Sequence, residues 1–155
     1  MTVKRFFKRC EEFSICSEVA DSGDYFVDGY PDNTTIYHIC IKGSVRLAKP
    51  FDDKVDIITS SELVDTRKYL YEQRIYQALE DLYMFGFNPL NPDQDWDAKL
   101  IKKSFRGNDD SWLICFKGNP VINGVKINSM DYAKLKDKDY DIKLNNSIVG
   151  VFTKL

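Results

Sequence analysis

The chain has 155 residues, a formal net charge of −2, 43% apolar residues and 30% charged residues. This balance excludes intrinsic disorder and predicts a single domain (1–155) with its own hydrophobic core. The charge supplies no positive field for nucleic acid or an anionic membrane, and we expect neither as a partner. No apolar run approaches the roughly 20 residues of a membrane-spanning helix. Charges also interrupt the apolar stretch that a signal peptide would need. We therefore expect an intracellular, cytoplasmic protein, located either in its own cell or in a host cell.

The four cysteines predict buried, reduced thiols. Cys10 and Cys16 are six positions apart and do not form a Cys-x-x-Cys pair, and the chain has one histidine. The chain therefore lacks the number and spacing of cysteine and histidine ligands that a zinc site needs. We expect no metal and no cofactor.

Ten Phe and nine Tyr favour strands, because aromatic side chains suit a pleated, half-buried surface. Apolar alternation between turn residues predicts strands in both ends of the chain. The predicted strands are 5–10, 13–19, 24–27, 35–48, 97–105, 111–117, 121–127, 132–135, 140–144 and 148–153.

The middle of the chain changes period and predicts one inserted helix at about 66–85. Asp65 or Thr66 is a suitable N-cap, and Gly86 is placed to end the helix. Helical spacing is shown by Tyr71, Ile75, Ala78, Leu79, Leu82 and Phe85. The helix and a proline-containing connector (65–96) then separate two half-repeats, at about 24–64 and 97–155.

The two half-repeats are predicted from a sequence similarity within the chain, which we call the echo. At an offset of 75 residues, Ile36–Gly43 (IYHICIKG) aligns without a gap with Ser111–Gly118 (SWLICFKG). The same offset pairs Asp56 with Asp131. Duplication of a unit that cannot bury its face alone would explain the echo, and convergence of strand-glycine-strand patterns is the alternative. Either origin favours a β-barrel or sandwich.

Two stretches resemble the cupin superfamily. Residues 29–47 (GYPDNTTIYHICIKGSVRL) are similar to its first conserved region, and residues 123–153 are similar to the closing strands of a cupin barrel. The resemblance covers about half of the chain and implies a cupin-like β-barrel or sandwich.

The resemblance also implies where a metal would bind, and the ligands are missing there. Metal-binding cupins use a His-x-His pair, a Glu and a later His. The Glu position falls at Ile36, the His-x-His region at Tyr30 to Asp32, and no histidine follows Gly118. The metal chemistry of the family therefore does not carry over.

The remaining candidates for chemistry give no catalytic set. His38 titrates near neutrality and shares a strand face with Cys40, but a His and a Cys two apart rarely form a nucleophile and base without a third group. Asp56 and Asp131 are equivalent under the echo, where a turn role is common. Lys102, Lys103 and Arg106 around Phe105 mix charge and ring surface as nucleic-acid grooves do, but the acidic chain favours a solvated strand face.

We carry three hypotheses for function. The first is a metal-free, non-catalytic protein that binds a small polar ligand through Tyr37, His38, Cys40, Arg46, Trp112 and Lys117. The second is an interaction or accessory protein of viral or mobile-element type, which acts through a homodimer or a host partner and uses helix-surface tyrosines such as Tyr69 and Tyr76. The third is a metal-free sugar isomerase or epimerase that uses His38 with a tyrosine.

Overall fold

The structure, a computed structural model, describes residues 4–27, 35–48, 55–67 and 75–155. These residues form eighteen β-strands and contain no α-helix, so none of their segments is a helix that could cross a membrane. The prediction of a mainly β chain is confirmed. Two compact units make up the chain, unit 1 (Met1–Pro92) and unit 2 (Asp93–Leu155). The single domain stays a prediction.

Unit 1 contains two antiparallel sheets that share one apolar cluster. Its strands are β1 (Lys4–Arg9), β2 (Phe13–Ala20), β3 (Tyr25–Val27), β4 (Tyr37–Lys42), β5 (Val45–Ala48), β6 (Val55–Ile58), β7 (Leu63–Asp65), β8 (Ile75–Ala78) and β9 (Leu82–Pro89). One sheet has the order β1-β2-β9-β4-β7 and the other has the order β3-β8-β5-β6. Both contribute side chains to the cluster, namely Ala20, Phe26, Cys40, Val45, Leu47, Ile58, Tyr76, Ala78, Leu82 and Met84. Each large aliphatic or aromatic side chain buried in this way stabilises the fold by about 1.5–3 kcal/mol.

Unit 2 has shorter strands and a second apolar cluster. Its strands are β10 (Trp96–Leu100), β11 (Phe105–Arg106), β12 (Ser111–Lys117), β13 (Val121–Ile122), β14 (Val125–Lys126), β15 (Tyr132–Lys134), β16 (Asp139–Tyr140), β17 (Ile142–Lys143) and β18 (Ile148–Lys154). They form sheets with the orders β10-β18-β12-β15, β11-β16 and β14-β13-β17. The cluster contains Ile101, Leu113, Cys115, Ile122, Leu135, Tyr140, Ile142, Val149 and Val151.

The two units repeat one connectivity. The order β2-β9-β4-β7 in unit 1 matches β10-β18-β12-β15 in unit 2, and β8-β5-β6 matches β17-β13-β14, with the strands in the same chain order. In this match β4 corresponds to β12, as the echo predicts. The matching strands of unit 1 also include β2, β8 and β9, which lie outside the predicted half-repeat of 24–64. Asp56 lies in β6, whereas Asp131 precedes β15, the counterpart of β7, so the constant offset does not hold beyond the first strands.

The echo extends to a local irregularity. The pairing of β4 with β9 shifts register between Cys40 and Lys42, and the pairing of β12 with β18 shifts between Cys115 and Lys117. These positions are 75 residues apart in each case. A bulge of this kind bends a strand and changes its twist. The strand then ends at Gly43 or Gly118, with φ of 76° and 87°, a left-handed conformation that favours glycine.

The predicted helix at about 66–85 is wrong wherever the structure describes it. Ile75–Ala78 and Leu82–Pro89 are strands, and residues 68–74 lie outside the described residues. The helical spacing arises because one strand, a turn and the next strand happen to supply apolar residues at those intervals. Ile75 is 39% exposed whereas Ala78 is buried, although one helical stripe would bury both. Leu82–Pro89 is buried on both faces, so its sequence shows no alternation of period two.

Candidate functional site

His38 lies in a row of side chains that crosses the large sheet of unit 1. Backbone pairing places it opposite Gly86 on β9 and Val64 on β7, and Gly86 is opposite Cys16 on β2. Directly paired residues share a sheet face, so Cys16, Gly86, His38 and Val64 form what we call the His38 row. Cys40 is two positions from His38 on β4, so it lies on the same face, and it belongs to the apolar cluster. We therefore call this face the cluster face of unit 1.

The imidazole of His38 lies between two hydroxyl groups. The Thr66 hydroxyl donates to the backbone carbonyl of Thr35 at 3.3 Å, so it accepts from Nδ1–H of His38 at 2.9 Å. Nε2 then carries the lone pair and accepts from the hydroxyl of Tyr76 at 3.0 Å. These bonds fit the neutral imidazole with its proton on Nδ1. His38 is 2% exposed, and Tyr76 and Thr66 are as deeply buried.

Gly86 makes room for this arrangement. A Cβ added there would lie 2.8 Å from Cγ2 of Thr35 and 3.7 Å from Nε2 of His38. The first distance is a clash, so the missing side chain allows the threonine to approach the strand beside the imidazole.

Further polar side chains share this face and are buried. Ser14 and Glu18 flank Cys16 on β2, and Asn88 is paired with Ser14. Each of these three side chains is 4% exposed. The cluster face of unit 1 is therefore apolar at Leu82 and Met84. Around the His38 row it carries the hydroxyl of Ser14, the carboxyl of Glu18 and the amide of Asn88.

The thiols of Cys40 and Cys115 occupy corresponding positions, and both are fully buried. Burial raises the pKa of Cys40 to about 12, with a further contribution from Glu62. Burial likewise raises the pKa of Cys115 to about 11. Each thiol lies near a backbone carbonyl, 3.8 Å from that of Ile58 for Cys40 and 3.6 Å from that of Lys117 for Cys115. Both side chains are therefore protonated, unreactive members of the clusters at neutral pH.

Unit 2 has a different set of residues in the corresponding row. Leu113 takes the place of His38 at the offset of 75, and it is paired with Val151, which is paired with Lys99 on β10. Leu113 and Val151 belong to the apolar cluster. The row that contains a buried imidazole in unit 1 is thus apolar in unit 2, except for the exposed Lys99 at its edge.

Tyr37 points away from His38, as neighbours on a strand do. Its hydroxyl accepts from the guanidinium of Arg67 at 2.7 Å, and Arg67 also lies 5.1 Å from the ring centroid. Burial tends to raise the pKa of Asp65, but the hydrogen bonds that Arg67 donates hold it below its usual value. This group supports the opposite face of the sheet.

The other predicted contact residues lie elsewhere. Arg46 is exposed between Val45 and Leu47, which point into the cluster. In unit 2, Trp112 is on the face opposite Leu113, where it lies 5.9 Å from Tyr132 and 6.0 Å from the amine of Lys134, and Lys117 is exposed at the end of β12. Of the six predicted residues, the structure brings only His38 and Cys40 onto one face.

Sequence reasoning missed the polar residues that surround His38. One signal could have found them: in Phe13–Ala20, the residues Ser14, Cys16 and Glu18 are two positions apart, which places three polar or small groups on one face of a strand. The roles of Thr66 and Tyr76 had no such signal, because both fell within the predicted helix.

The described part of the chain contains no group of three His, Cys, Asp or Glu side chains placed to hold a metal ion. The His38 row offers one imidazole and one thiol, and both nitrogens of the imidazole are engaged by hydroxyl groups. These residues do not fit the metal centre of the metal-binding cupins.

Comparison with known proteins finds relatives by structure only. No protein-family model and no curated protein matches the sequence. Among solved structures, HutD from Pseudomonas fluorescens SBW25 is similar with a TM-score of 0.64 at 10% identity, over 92% of this chain and 78% of that one. A cupin 2 conserved barrel domain protein from Leptotrichia buccalis is similar with a TM-score of 0.57 at 8% identity, over 99% and 89%. The bacterial pirin YhhW from Escherichia coli, in complex with nickel(II), is similar with a TM-score of 0.63 at 13% identity, over 97% and 90%.

These likenesses show that the chain has a cupin-like fold, and the prediction made from residues 29–47 and 123–153 is confirmed. At such low identity they establish the fold alone.

Proposed function

We propose that unit 1 binds a small polar ligand on its cluster face, at the His38 row and the polar side chains beside it. The observation that carries the proposal is the difference between two copies of one framework. Where unit 2 has the apolar Leu113 and Ile101, unit 1 has the buried His38 and Glu18, with buried Ser14 and Asn88 beside them.

Ser14, Glu18 and Asn88 each interact within the protein, and their position beside apolar side chains supports a functional reason for them. A hydroxyl, amide or carboxyl taken out of water costs free energy unless its hydrogen bonds are replaced. Unit 2 indicates that apolar residues can occupy the corresponding row and form a cluster there. The framework therefore does not itself require the imidazole of His38 or the carboxyl of Glu18, whose counterparts are Leu113 and Ile101. The counterparts of Ser14 and Asn88 are Asp97 and Thr153, which are polar as well. Polar groups placed within mostly apolar surroundings are typical of small-molecule sites.

The chemistry of the site favours an uncharged or cationic ligand with several hydroxyl or amine groups. Glu18 supplies an acceptor, Asn88 supplies both a donor and an acceptor, and Ser14 can act as either. His38 is held between Thr66 and Tyr76, so it positions these neighbours rather than acting as a nucleophile or base. The proposal is for a binding protein without catalysis.

A thermal-shift screen against sugars, sugar amines, amino acids and nucleosides tests the proposal. A ligand that binds the folded state raises its melting temperature by mass action. A ligand found in this way must lose its effect in Glu18→Gln, which removes the carboxylate but keeps the shape of the side chain. It must keep its effect in the control Arg46→Gln, because Arg46 lies on the exposed face of the other sheet. Retention of the shift in Glu18→Gln, or its loss in Arg46→Gln, would refute this site.

A second candidate, an interaction module that forms homodimers, is favoured by one surface. On the outer face of the β3-β8-β5-β6 sheet, Tyr25, Val27, Ile57 and Ile75 are between 39% and 62% exposed, and contiguous exposed apolar side chains mark interaction sites. Tyr76, which was predicted to lie on a helix surface, is instead buried beside His38, and Tyr69 lies outside the described residues. Dimers seen by light scattering in the native protein, and absent in Val27→Lys, would support this candidate; monomers in both would oppose it.

A further inference from the structure

A shallow depression in unit 2 follows the segment that joins β10 to β11. Its volume is about 420 Å³, and residues 99–105 line it, including the lysines Lys99, Lys102 and Lys103. This volume lies within the range of small-molecule sites, about 300–1,000 Å³. The lining contains three lysines and the partly buried Leu100, whereas Ile101 is buried in the apolar cluster of unit 2.

The three lysines have no partner within the described residues. No carboxylate of those residues forms an ion pair with them, and no described acceptor bonds to their amines. Arg106, only a few positions away, contrasts with them. It pairs with Asp137 at 3.1 Å and Asp139 at 3.4 Å.

The backbone of the same segment also presents unused donors. No described residue accepts a hydrogen bond from the N–H groups of Lys102, Lys103 or Ser104. The hydroxyl of Ser104 is already engaged, since it donates to Asp141 at 3.0 Å and accepts from the backbone N–H of Ile142 at 3.1 Å. The segment therefore supplies ammonium groups and backbone N–H groups that can act as donors.

We propose that this basic depression binds a small anion that carries two or more phosphate groups. Ammonium and backbone N–H groups are the donors that phosphate oxygens accept in proteins, and bonds to an ionised group are the stronger ones. Three cations match the charge of a diphosphate. Asp141 beside Ser104, and Asp137 and Asp139 beside Arg106, limit the positive surface to the depression. A small phosphorylated ligand therefore fits better than an extended nucleic acid.

The proposal is independent of ligand binding in unit 1 and is tested on the whole protein. Titration with inorganic pyrophosphate, followed by two-dimensional amide NMR, should move the Lys102, Lys103 and Ser104 signals along saturable curves. The double variant Lys102→Gln/Lys103→Gln should weaken binding roughly 2- to 30-fold, since exposed charge pairs are individually modest. The matched control is Lys126→Gln/Lys143→Gln, which removes two exposed lysines that are both paired with Val121 and should leave the dissociation constant unchanged.

A parallel titration with ADP distinguishes the source of the phosphates. Equal affinity for pyrophosphate and ADP would assign recognition to the diphosphate alone. Tighter binding of ADP would indicate that the apolar part of the depression contacts a nucleoside. The proposal is overturned if the shifts do not saturate, if the two double variants lose affinity equally, or if the shifted signals lie outside residues 99–105.

Discussion

Removing the hydroxyl of Tyr76 measures how tightly the imidazole of His38 is held. Tyr76→Phe keeps the ring, which stacks on Phe26 at 5.1 Å and 7°, but leaves Nε2 of His38 without the bond of 3.0 Å. Leaving a buried acceptor unsatisfied costs about 1–3 kcal/mol. For a chain of this length each 1 kcal/mol lowers the melting temperature by about 2–4 °C, so we expect a loss of roughly 2–12 °C.

A double-mutant cycle separates the hydrogen bond from other effects. His38→Leu introduces the residue that unit 2 has at the corresponding position, and it should cost a similar free energy because Tyr76 and Thr66 lose their partner. The double variant should cost less than the sum of the single variants by about 1 kcal/mol or more, since neither Nε2 of His38 nor the hydroxyl of Tyr76 is then left without the other. Urea unfolding followed by circular dichroism measures each value. A Tyr76→Phe variant within about 0.5 kcal/mol of the native protein, or strict additivity in the cycle, would refute the reasoning.

Three further predictions follow from the turns and thiols. Gly43→Ala should destabilise the chain more than Gly124→Ala in chemical denaturation. The two glycines have φ of 76° and 77°, but a Cβ at Gly43 would strike the carbonyl of Asp81, whereas a Cβ at Gly124 would meet open space. Equal losses would contradict the steric argument. The free energy of unfolding should fall as pH rises from 9 towards 12, because the thiol of Cys40 releases its proton near pH 9.0 in the unfolded chain but keeps it until about pH 12 in the folded chain. Cys40→Ala should flatten this pH dependence, and an unchanged slope in the variant would contradict the prediction. Iodoacetamide at pH 8 should label the partly exposed Cys10 before the buried Cys40, as peptide mass spectrometry can show, and equal rates would argue against a closed cluster.

The sequence predicted strands at both ends of the chain because their turns carry specific residues, but it missed β6, β7, β8 and β9. Gly43 and Gly118 each end a long strand in a left-handed conformation, and the echo that they anchor corresponds to one connectivity in both units. The cupin resemblance drew on the same segments. These features are local, so a reading of local pattern could find them.

The helix and most of the site depend on pairing between distant strands, which local spacing does not show. Ile75 and Ala78 match a helical stripe, yet they belong to a strand whose faces are set by the neighbouring strands β3 and β5. The sequence drew attention to His38 because it is the only histidine of the chain. Its partners Thr66 and Tyr76 are 28 and 38 residues away along the chain, and only the packing of the sheets brings them together.

Native mass spectrometry of the protein, purified without denaturation or added ligand, tests the central claim most directly. We predict a non-protein mass retained in a fixed ratio by the native protein and by Arg46→Gln, and lost from Glu18→Gln. A bare chain in all three samples, or a mass that Glu18→Gln retains, would contradict ligand binding on the cluster face of unit 1.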